Sequence, residues 1–501
     1  MTRRFTRPTR RAFLVSLGGT AAATVLAACL PENQPTPTAK PAGAPPTAAP
    51  AGAPSAGAKP LEEKPAAGAQ PAAAKPSTSG AGPTNLVSWF TDRRTINQMT
   101  EKEAKPEFEG KNPNIKVEVQ FVPESEILQK ARTTKAAGNA PDVISIDETF
   151  LDDMFRDKML LPIPEQVINV NQEMGKRIGY LYRIPLGQPD AKYYALPNGM
   201  FGGAIYYNEE LLAKHKFSPE QIPQTWEEFF RWAKDVTTFK GDAVDQAGFS
   251  IFGSEGTLIS EYRAQKGGFE AGTRFEAKDK INLTRDIEVE GHQWALDVFD
   301  KWKLDDRAGV TYQDRFGRGK AVTMIAYTWN NGFIGQQFPD IKFGTMLPPR
   351  FEKKGPYGEH SPDVGFAVMT QKDANTEASW KFWRYLVGPD YQRRYAIPRG
   401  VQPSLKVLWT EKQFDGSDKK WNAVTKKNTP PNGIDGGFST IEFNQITGVA
   451  WGPIRDQKAN IQEKLKEVEA RANEYLKTRP MWSALTWADY KAHPEWQTPE
   501  G

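Results

Sequence analysis

The chain has one cysteine, Cys29, and four widely spaced histidines among its 501 residues. A single cysteine excludes an internal disulfide and any cysteine-rich metal site. None of the histidines lies in the His-Glu-x-x-His spacing of zinc hydrolases. The sequence also lacks a Gly-x-Ser-x-Gly elbow, and Gly319-Lys320-Ala321 fails the last position of a phosphate-binding loop. We therefore expect no metal, no other cofactor and no catalytic residues of these classes.

Long apolar runs are also missing beyond the N-terminal region, since none approaches the roughly 20 residues of a membrane-spanning helix. Hydrophobic residues make up 39 % and charged residues 25 %, as in soluble globular domains. The formal charge is +4, but residues 1–28 contain five arginines and no acid, so the rest of the chain carries −1. A near-neutral protein has no global electrostatic basis for binding nucleic acid, and we expect no such partner.

Residues 1–28 have the pattern of an export signal, a basic start followed by a short stretch of small apolar residues. The segment TRRAFL at 9–14 resembles a twin-arginine signal. The segment LAAC at 26–29 resembles the lipobox at which bacterial lipoproteins are cleaved and acylated. These motifs predict that Cys29 carries the lipid and that the exported protein is anchored to the outer face of the cytoplasmic membrane.

Residues 29–83 are dominated by proline, alanine and glycine after the cysteine. Such a composition cannot bury enough apolar surface to offset backbone entropy. We predict a disordered spacer between the lipid and the folded part.

Strand-like and helix-like patterns alternate from residue 84 onward, which predicts an α/β fold with a largely parallel sheet. A chain of this length also predicts more than one domain. In parallel sheets, ligands bind beyond the carboxyl ends of the strands. This rule selects residues 89–93 and Asp147-Glu148, because each group follows a predicted strand directly.

Six short segments occur in a fixed order through this part of the chain. They are AAGNAPD at 136–142, YALP at 194–197 with IYYNEELL at 205–212, TWEEF at 225–229, FGRGKAVTM at 316–324, ASWKFW at 378–383 and GVQP at 400–403. Together they resemble landmarks of family 1 extracellular solute-binding proteins, the maltose-binding-protein-like group.

This resemblance implies a two-lobed periplasmic-binding-protein type II fold, with a mainly parallel, helix-flanked sheet in each lobe. Hinge crossovers are expected near 199–203, 347–350 and Arg399. The implied division places 84–200 and 348–399 in the first lobe, and 201–347 and 400–501 in the second. The resemblance also implies a monomer that captures a sugar or related polyol between its lobes and delivers it to the permease subunits of an ABC transporter.

Three of the fourteen tryptophans are candidates for stacking on the apolar faces of a sugar: Trp89, Trp329 and Trp451. The first two stand at predicted strand ends beside polar turns. Six others lie in helical patterns, for which core packing is expected: Trp226, Trp232, Trp294, Trp302, Trp380 and Trp383. Candidate polar contacts on loops near the cleft are Asp92, Arg93, Asp147, Asn198, Asn330 and Arg399. A surface cap or an ion pair is the alternative for these polar residues, above all for Asp92, Arg93 and Arg399.

Two other classes remain open from the sequence. A secreted carbohydrate-active hydrolase working through two carboxylates would carry no short signature. A purely adhesive surface protein would need no closing cleft. Product release from an oligosaccharide identifies the first class, and ligand-induced compaction excludes the second.

Overall fold

The computed structural model describes residues 82–307, 309–351, 357–358, 360–363, 365–370, 375–415, 417–420 and 439–494. The predicted export signal, the lipidation site Cys29 and the linker up to residue 81 lie outside the described residues.

The strands of the described part, in chain order, are β1 Thr84–Thr91, β2 Ile115–Val122, β3 Val143–Ile146, β4 Arg183–Ile184, β5 Lys192–Tyr193, β6 Ala195–Pro197, β7 Gly199–Asn208, β8 Thr238–Lys240, β9 Ala243–Ser250, β10 Phe275–Ala277, β11 Lys280–Ile281, β12 Ala321–Tyr327, β13 Phe343–Met346, β14 His360–Pro362, β15 Gly365–Val368 and β16 Gln402–Pro403.

The α-helices of the same part are α1 Arg94–Met99, α2 Lys105–Lys111, α3 Glu124–Ala136, α4 Glu148–Arg156, α5 Val170–Glu173, α6 Lys176–Leu181, α7 Glu209–Lys214, α8 Trp226–Asp235, α9 Glu255–Gly272, α10 Asp286–Asp300, α11 Tyr312–Gly317, α12 Asn330–Gln337, α13 Thr376–Leu386, α14 Pro389–Arg399, α15 Ile441–Gly448, α16 Trp451–Gln457, α17 Ile461–Thr478 and α18 Trp487–Ala492. A π-helical segment, Thr100–Ala104, joins α1 to α2, and short 3-10 turns lie at Pro219–Gln221, Lys406–Thr410 and Lys412–Phe414. None of these helices is long and apolar enough to cross a membrane.

The first sheet has five strands in the order β2-β1-β3-β15-β6. β1 is parallel to both β2 and β3, whereas β15 is antiparallel to its neighbours β3 and β6. Four of the five strands therefore point the same way. Their apolar side chains form one core with helices α13 and α14, and we call this body the first lobe.

The second sheet follows the order β13-β7-β12-β9-β8. β12 is parallel to β9, but β7 is antiparallel to both β12 and β13. The α/β class is confirmed. The second sheet is mixed rather than mainly parallel, because β7, which enters it from the first lobe, and the edge strand β8 both run against the other three strands. This sheet, its helices and the packed group formed by the β10-β11 hairpin, α10 and α15 to α17 constitute the second lobe.

Helix α8 shows how the sequence forms the second core. Its buried residues Trp226, Phe229, Phe230 and Ala233 recur at helical spacing and face the sheet. The six tryptophans predicted to pack in cores do so: Trp226, Trp232 and Trp383 are buried, and Trp294, Trp302 and Trp380 are partly buried against them.

Three stretches of chain lie side by side between the lobes. β7 begins directly after β6 of the first sheet, and its first residues pair with both β14 and β16. The chain returns to the first sheet at Asp363, between β14 and β15, later than the predicted 347–350, because Arg350 and Phe351 still contact α8 and α9. Val401, Leu405 and Leu408 pack in the first core, and the residue limits drawn for the two lobes stay predictions.

Candidate functional site

Polar side chains collect at one edge of the first sheet. Arg93 follows β1, Glu124 follows β2, Asp147 follows β3 and Asn198 follows β6. β15 runs the opposite way, so Asp363, which precedes it, reaches the same edge. The carboxyl edge of an α/β sheet is where ligands bind. We call these five residues the edge cluster.

Arg93 is held by two carboxylates of the edge cluster and is only 7 % exposed. Its Nη2 donates to Glu124 Oε2 at 2.9 Å and lies 3.8 Å from Asp147 Oδ2. Burial acts to lower the pKa of Arg93, but Glu124 and Asp363 outweigh it and leave the pKa raised. Nε and Nη1 have no hydrogen-bond partner in the described residues. The guanidinium is therefore held in place while two of its nitrogens can still donate hydrogen bonds to a ligand.

Asn198 is fully buried between β6 and β7, yet neither its amide oxygen nor its amide nitrogen has a partner in the part of the chain described. A buried polar group without a hydrogen bond costs about 1–3 kcal/mol. Such groups are rare in native proteins and point to a ligand or an ordered water. Asn198 lies at the first crossing between the lobes, where a bound molecule could contact both.

Arg399 lies beside the edge cluster and forms a buried ion pair with its member Asp363. Arg399 Nε donates to Asp363 Oδ2 at 3.0 Å and Nη2 donates to Oδ1 at 3.0 Å, while Tyr395 Oη donates to Oδ2 at 2.6 Å. Burial acts to raise the pKa of Asp363, but Arg399 and Arg93 hold it below its ordinary value. The Arg399 guanidinium also lies 5.4 Å from the centroid of the Trp329 ring. Trp329, which follows a strand of the second sheet, therefore packs against the first lobe.

The second lobe presents its own carboxyl edge, where β9 and β12 end together. Trp329 follows β12, and Glu255 begins α9 shortly after β9. Arg455 donates to Glu255 at 2.8 Å, and its guanidinium lies 4.4 Å from the Phe252 ring centroid. The buried Glu261 accepts from the backbone of Gly358 at 2.9 Å. A Cβ atom at Gly203 of β7 would lie 2.9 Å from the Glu261 carboxylate. Glycine at this position therefore lets the crossing strand lie close to that carboxylate.

The other residues predicted from the sequence have more local contacts. Trp89 is 3 % exposed, packs in the first core and has Lys130 Nζ 4.3 Å from its ring centroid. Asp92 is exposed and accepts from Asn97 at 2.5 Å. Asn330 is buried, accepting from Gln313 at 2.6 Å and donating to the Tyr327 carbonyl at 3.0 Å. Trp451 packs between two groups of second-lobe hydrophobic residues, its ring 5.7 Å from His292.

The sequence analysis missed Glu124, Asp363 and Tyr395. Glu124 obeys the same strand-end rule that selected Asp147, so applying the rule to β2 would have found it. No comparable signal marks Asp363, because it precedes a strand whose antiparallel pairing is a property of the fold. In the described residues, no group of three or more His, Cys, Asp or Glu side chains could hold a metal ion.

Two α/β lobes, joined by side-by-side crossing strands and facing each other with polar carboxyl edges, define the class of two-lobed binding proteins. The chain belongs to the bacterial extracellular solute-binding proteins, since that family's model matches residues 103–422.

Curated relatives and solved structures agree with this assignment. A putative binding protein of Brucella abortus is 27 % identical over 317 residues, covering 61 % of this chain and 72 % of the relative. The multiple sugar-binding protein of Streptococcus mutans is 22 % identical over 379 residues, covering 67 % and 83 %.

Among solved structures, a solute-binding protein of Thermotoga lettingae bound to α-D-tagatose aligns with a TM-score of 0.61 at 18 % identity, covering 78 % of this chain and 100 % of that one. A cyclic α-maltosyl-1,6-maltose-binding protein of Arthrobacter globiformis aligns with a TM-score of 0.63 at 17 % identity, covering 79 % and 100 %. These structures share the two-lobed fold, which confirms the fold class predicted from the sequence.

Proposed function

We propose that the protein captures a sugar or related polyol between its lobes and delivers it to the permease of an ABC transporter. The observation that carries this proposal is the convergence of polar residues from five strand ends at one edge of the first sheet, including buried groups without hydrogen-bond partners in the described part of the chain. The tagatose bound in the Thermotoga structure and the names of the Arthrobacter and Streptococcus proteins support the ligand class. We propose that the protein acts as a monomer and that it binds its ligand without catalysing a reaction.

We further assign roles to the candidate site residues. Arg93 and Asn198 offer hydrogen bonds to sugar hydroxyls, because their buried polar atoms are unused in the described residues. Trp329 offers an aromatic face, while Trp89, Asp92 and Trp451 border the site. Asp147 and Arg399 hold Arg93 and Trp329 in place, and Asn330 fixes the start of α12.

Anchoring through Cys29 completes the proposal. A twin-arginine export signal, a lipidated Cys29 and a Pro-rich spacer would place the lobes on the outer face of the membrane, near the permease. Lipid chains contribute about 0.8 kcal/mol per buried CH₂. Cys29→Ser should therefore release the protein into the soluble fraction, and a variant that still sediments wholly with membranes would contradict the anchor.

A thermal-shift screen of the full chain carrying Cys29→Ser tests the ligand class. Neutral monosaccharides, oligosaccharides and polyols are the probes, and a true ligand at 100 times its Kd should add about 2.7 kcal/mol of stability. Absence of any shift across the screen would count against the proposal. Release of shorter sugars from an oligosaccharide probe would instead show a hydrolase.

Substitutions then test the site with the sugar that gives the largest shift. Asn198→Ala and Trp329→Ala should each weaken binding about tenfold in titration calorimetry, which corresponds to about 1.4 kcal/mol. Trp302→Ala is the matched control, because Trp302 is a partly buried tryptophan that packs on Phe230 within the second lobe. Equal affinities in all three variants would remove these residues from the site.

A further inference from the structure

The end of the chain bridges the two lobes at a place other than the crossing strands. Helix α17 packs in the second lobe through Leu465, Val468, Ala472 and Leu476. The chain then leaves this helix, runs over the first lobe and continues into α18. We call residues 479–490 the C-terminal strap.

On the first-lobe side, the strap is fixed by backbone and side-chain hydrogen bonds. The Leu186 amide donates to the Trp482 carbonyl at 2.9 Å, and the Ser483 amide donates to Asp152 Oδ2 at 3.1 Å. The side chains of Leu485 and Tyr490 are buried in the first core. This part of the strap is therefore integral to the first lobe.

On the second-lobe side, neighbouring residues of the strap bond to the β10-β11 hairpin and the residues before it. The Met481 amide donates to the Lys278 carbonyl at 2.7 Å, and Thr273 Oγ1 donates to the Leu485 carbonyl at 2.8 Å. Met481 and Ala484 pack with the hairpin and α17. Within a few residues, the strap thus alternates between the two lobes.

Asp489 joins the lobes through a single carboxylate. Tyr180 of the first lobe donates to its Oδ1 at 2.6 Å, and Lys278 of the second lobe lies 3.4 Å from its Oδ2. Bonds from the Thr486 amide at 2.7 Å and hydroxyl at 2.8 Å fix the carboxylate orientation. Lys278 also donates to the Ala484 carbonyl. Each lobe thus contributes one side chain to the same carboxylate.

We propose that the C-terminal strap is a clasp between the lobes, with Asp489 as its central residue, and that it holds them in the compact arrangement in which Arg93, Asn198 and Arg399 are buried. None of the strap's partners named above belongs to the edge cluster. The clasp therefore sets the balance between open and closed lobes from outside the ligand site. Its effect on ligand affinity rests on the proposed function, whereas its effect on lobe position does not.

The first test measures the lobes without ligand. In the full chain, Cys29→Ser removes the one native cysteine, and Gln129→Cys on α3 with Arg231→Cys on α8 then places one spin label on an exposed position of each lobe. Tyr180→Phe and Lys278→Met each remove one arm of the clasp, and the double variant removes both. We expect the interlobe distance distribution from pulsed electron paramagnetic resonance to broaden in each variant, most in the double variant.

Matched controls remove the same chemical groups inside one lobe. Tyr385→Phe deletes a hydroxyl that bonds to Glu107 at 3.2 Å within the first lobe. Lys320→Met deletes an ammonium that pairs with Asp245 at 3.0 Å within the second. Both controls should keep the parent distribution. A clasp variant whose distribution superimposes on the parent's would overturn the proposal.

The second test uses maltotriose and D-tagatose as probes in titration calorimetry. If the parent binds either sugar, the double clasp variant should bind it about threefold to tenfold more weakly, while the controls keep the parent Kd. An unchanged or tighter Kd in the double variant overturns the clasp's control of affinity. If no sugar in the thermal-shift screen binds the parent, the proposed function fails, and the ligand-free distances still decide whether the clasp exists.

Discussion

Two glutamates that are largely shielded from solvent, one in each lobe, have pKa values shifted in opposite directions. Glu288 of α10 is fully buried in the second lobe, yet its pKa is lowered to about 2. Glu124 of the edge cluster is partly buried, with 15 % of its side chain exposed, and its pKa is raised to about 7. Burial acts to raise both pKa values because it disfavours the charged form, so burial alone does not explain the difference.

The neighbours decide which way each carboxyl shifts. Three guanidiniums, from Arg263, Arg274 and Arg285, lie 3.2, 3.3 and 3.0 Å from Glu288 Oε1. Together they outweigh the desolvation of Glu288. Glu124 has one guanidinium in contact, that of Arg93, and the negative charge of Asp147 opposes it.

Asp363 lies between these extremes. It is fully buried, bonds to Arg399 and has Arg93 as a second positive neighbour, and its pKa is lowered. Arg93 and Arg399 lower the pKa of Glu124 as well, but burial and the negative charge of Asp147 outweigh them, so the number of nearby arginines alone does not set the direction of the shift. The first lobe distributes its positive charges over several carboxylates, and Arg93 retains donors that have no partner among the described residues. In the second lobe, three arginines converge on the carboxylate of Glu288, which joins α9, α10 and the segment before β10.

The largest effect should follow from removing the charge of Glu288. Glu288→Gln leaves three guanidiniums, one buried and two partly exposed, around a neutral amide, and breaking a buried ion pair costs about 3–5 kcal/mol. With three partners affected, we expect a loss near 5 kcal/mol and a transition temperature lower by several degrees in scanning calorimetry. Glu290→Gln is the control, because Glu290 is exposed on the same helix and accepts one hydrogen bond, from Tyr262 at 3.0 Å. Similar losses in both variants would refute the central role of Glu288.

Asp363→Asn should have the next largest effect. The amide can still accept from Tyr395 and Arg399, but it leaves the positive charge of Arg399 buried without its carboxylate. We expect a loss of about 3 kcal/mol, at the lower end for a broken buried pair. Asp390→Asn on α14 is the control, since that side chain is 45 % exposed and pairs with exposed partners. Surface pairs contribute about 0–1 kcal/mol, so a control loss as large as that of Asp363→Asn would contradict this interpretation.

Part of the fold and of the candidate site could be predicted from the sequence. The strand-end rule placed Arg93 and Asp147 near the cleft, and Asn198 was predicted on a loop that borders it. The structure brings all three to one edge of the first sheet. Helical spacing also identified the core tryptophans, because Trp226 and Trp383 lie on apolar faces of their helices. Local patterns of this kind depend only on neighbouring residues.

Contacts between distant segments could not be predicted in the same way. Arg399 pairs with Asp363 because α14 packs beside the start of β15, and nothing near either residue in the sequence indicates that partner. The partners of Glu288 raise the same difficulty. Arg274 and Arg285 flank a hairpin, and Arg263 comes from another helix. The mixed order of the second sheet likewise follows from where β7 crosses between lobes rather than from its own composition.

Glu124→Gln should give the smallest change, and it should depend on pH. A carboxyl whose pKa is higher in the folded chain binds its proton more tightly there, so it stabilises the fold below about pH 4.5 and this stabilisation is lost as the pH rises toward 7. Because the glutamine cannot ionise, the parent should lose about 2 kcal/mol relative to Glu124→Gln between pH 5 and pH 8, an order-of-magnitude value from about 1.4 kcal/mol per pKa unit. Calorimetric transition temperatures across that range measure the difference. Glu126→Gln, an exposed change on the same helix, should instead follow the parent at every pH, and a parallel pH profile for Glu124→Gln and the parent would show that Glu124 does not titrate in this window.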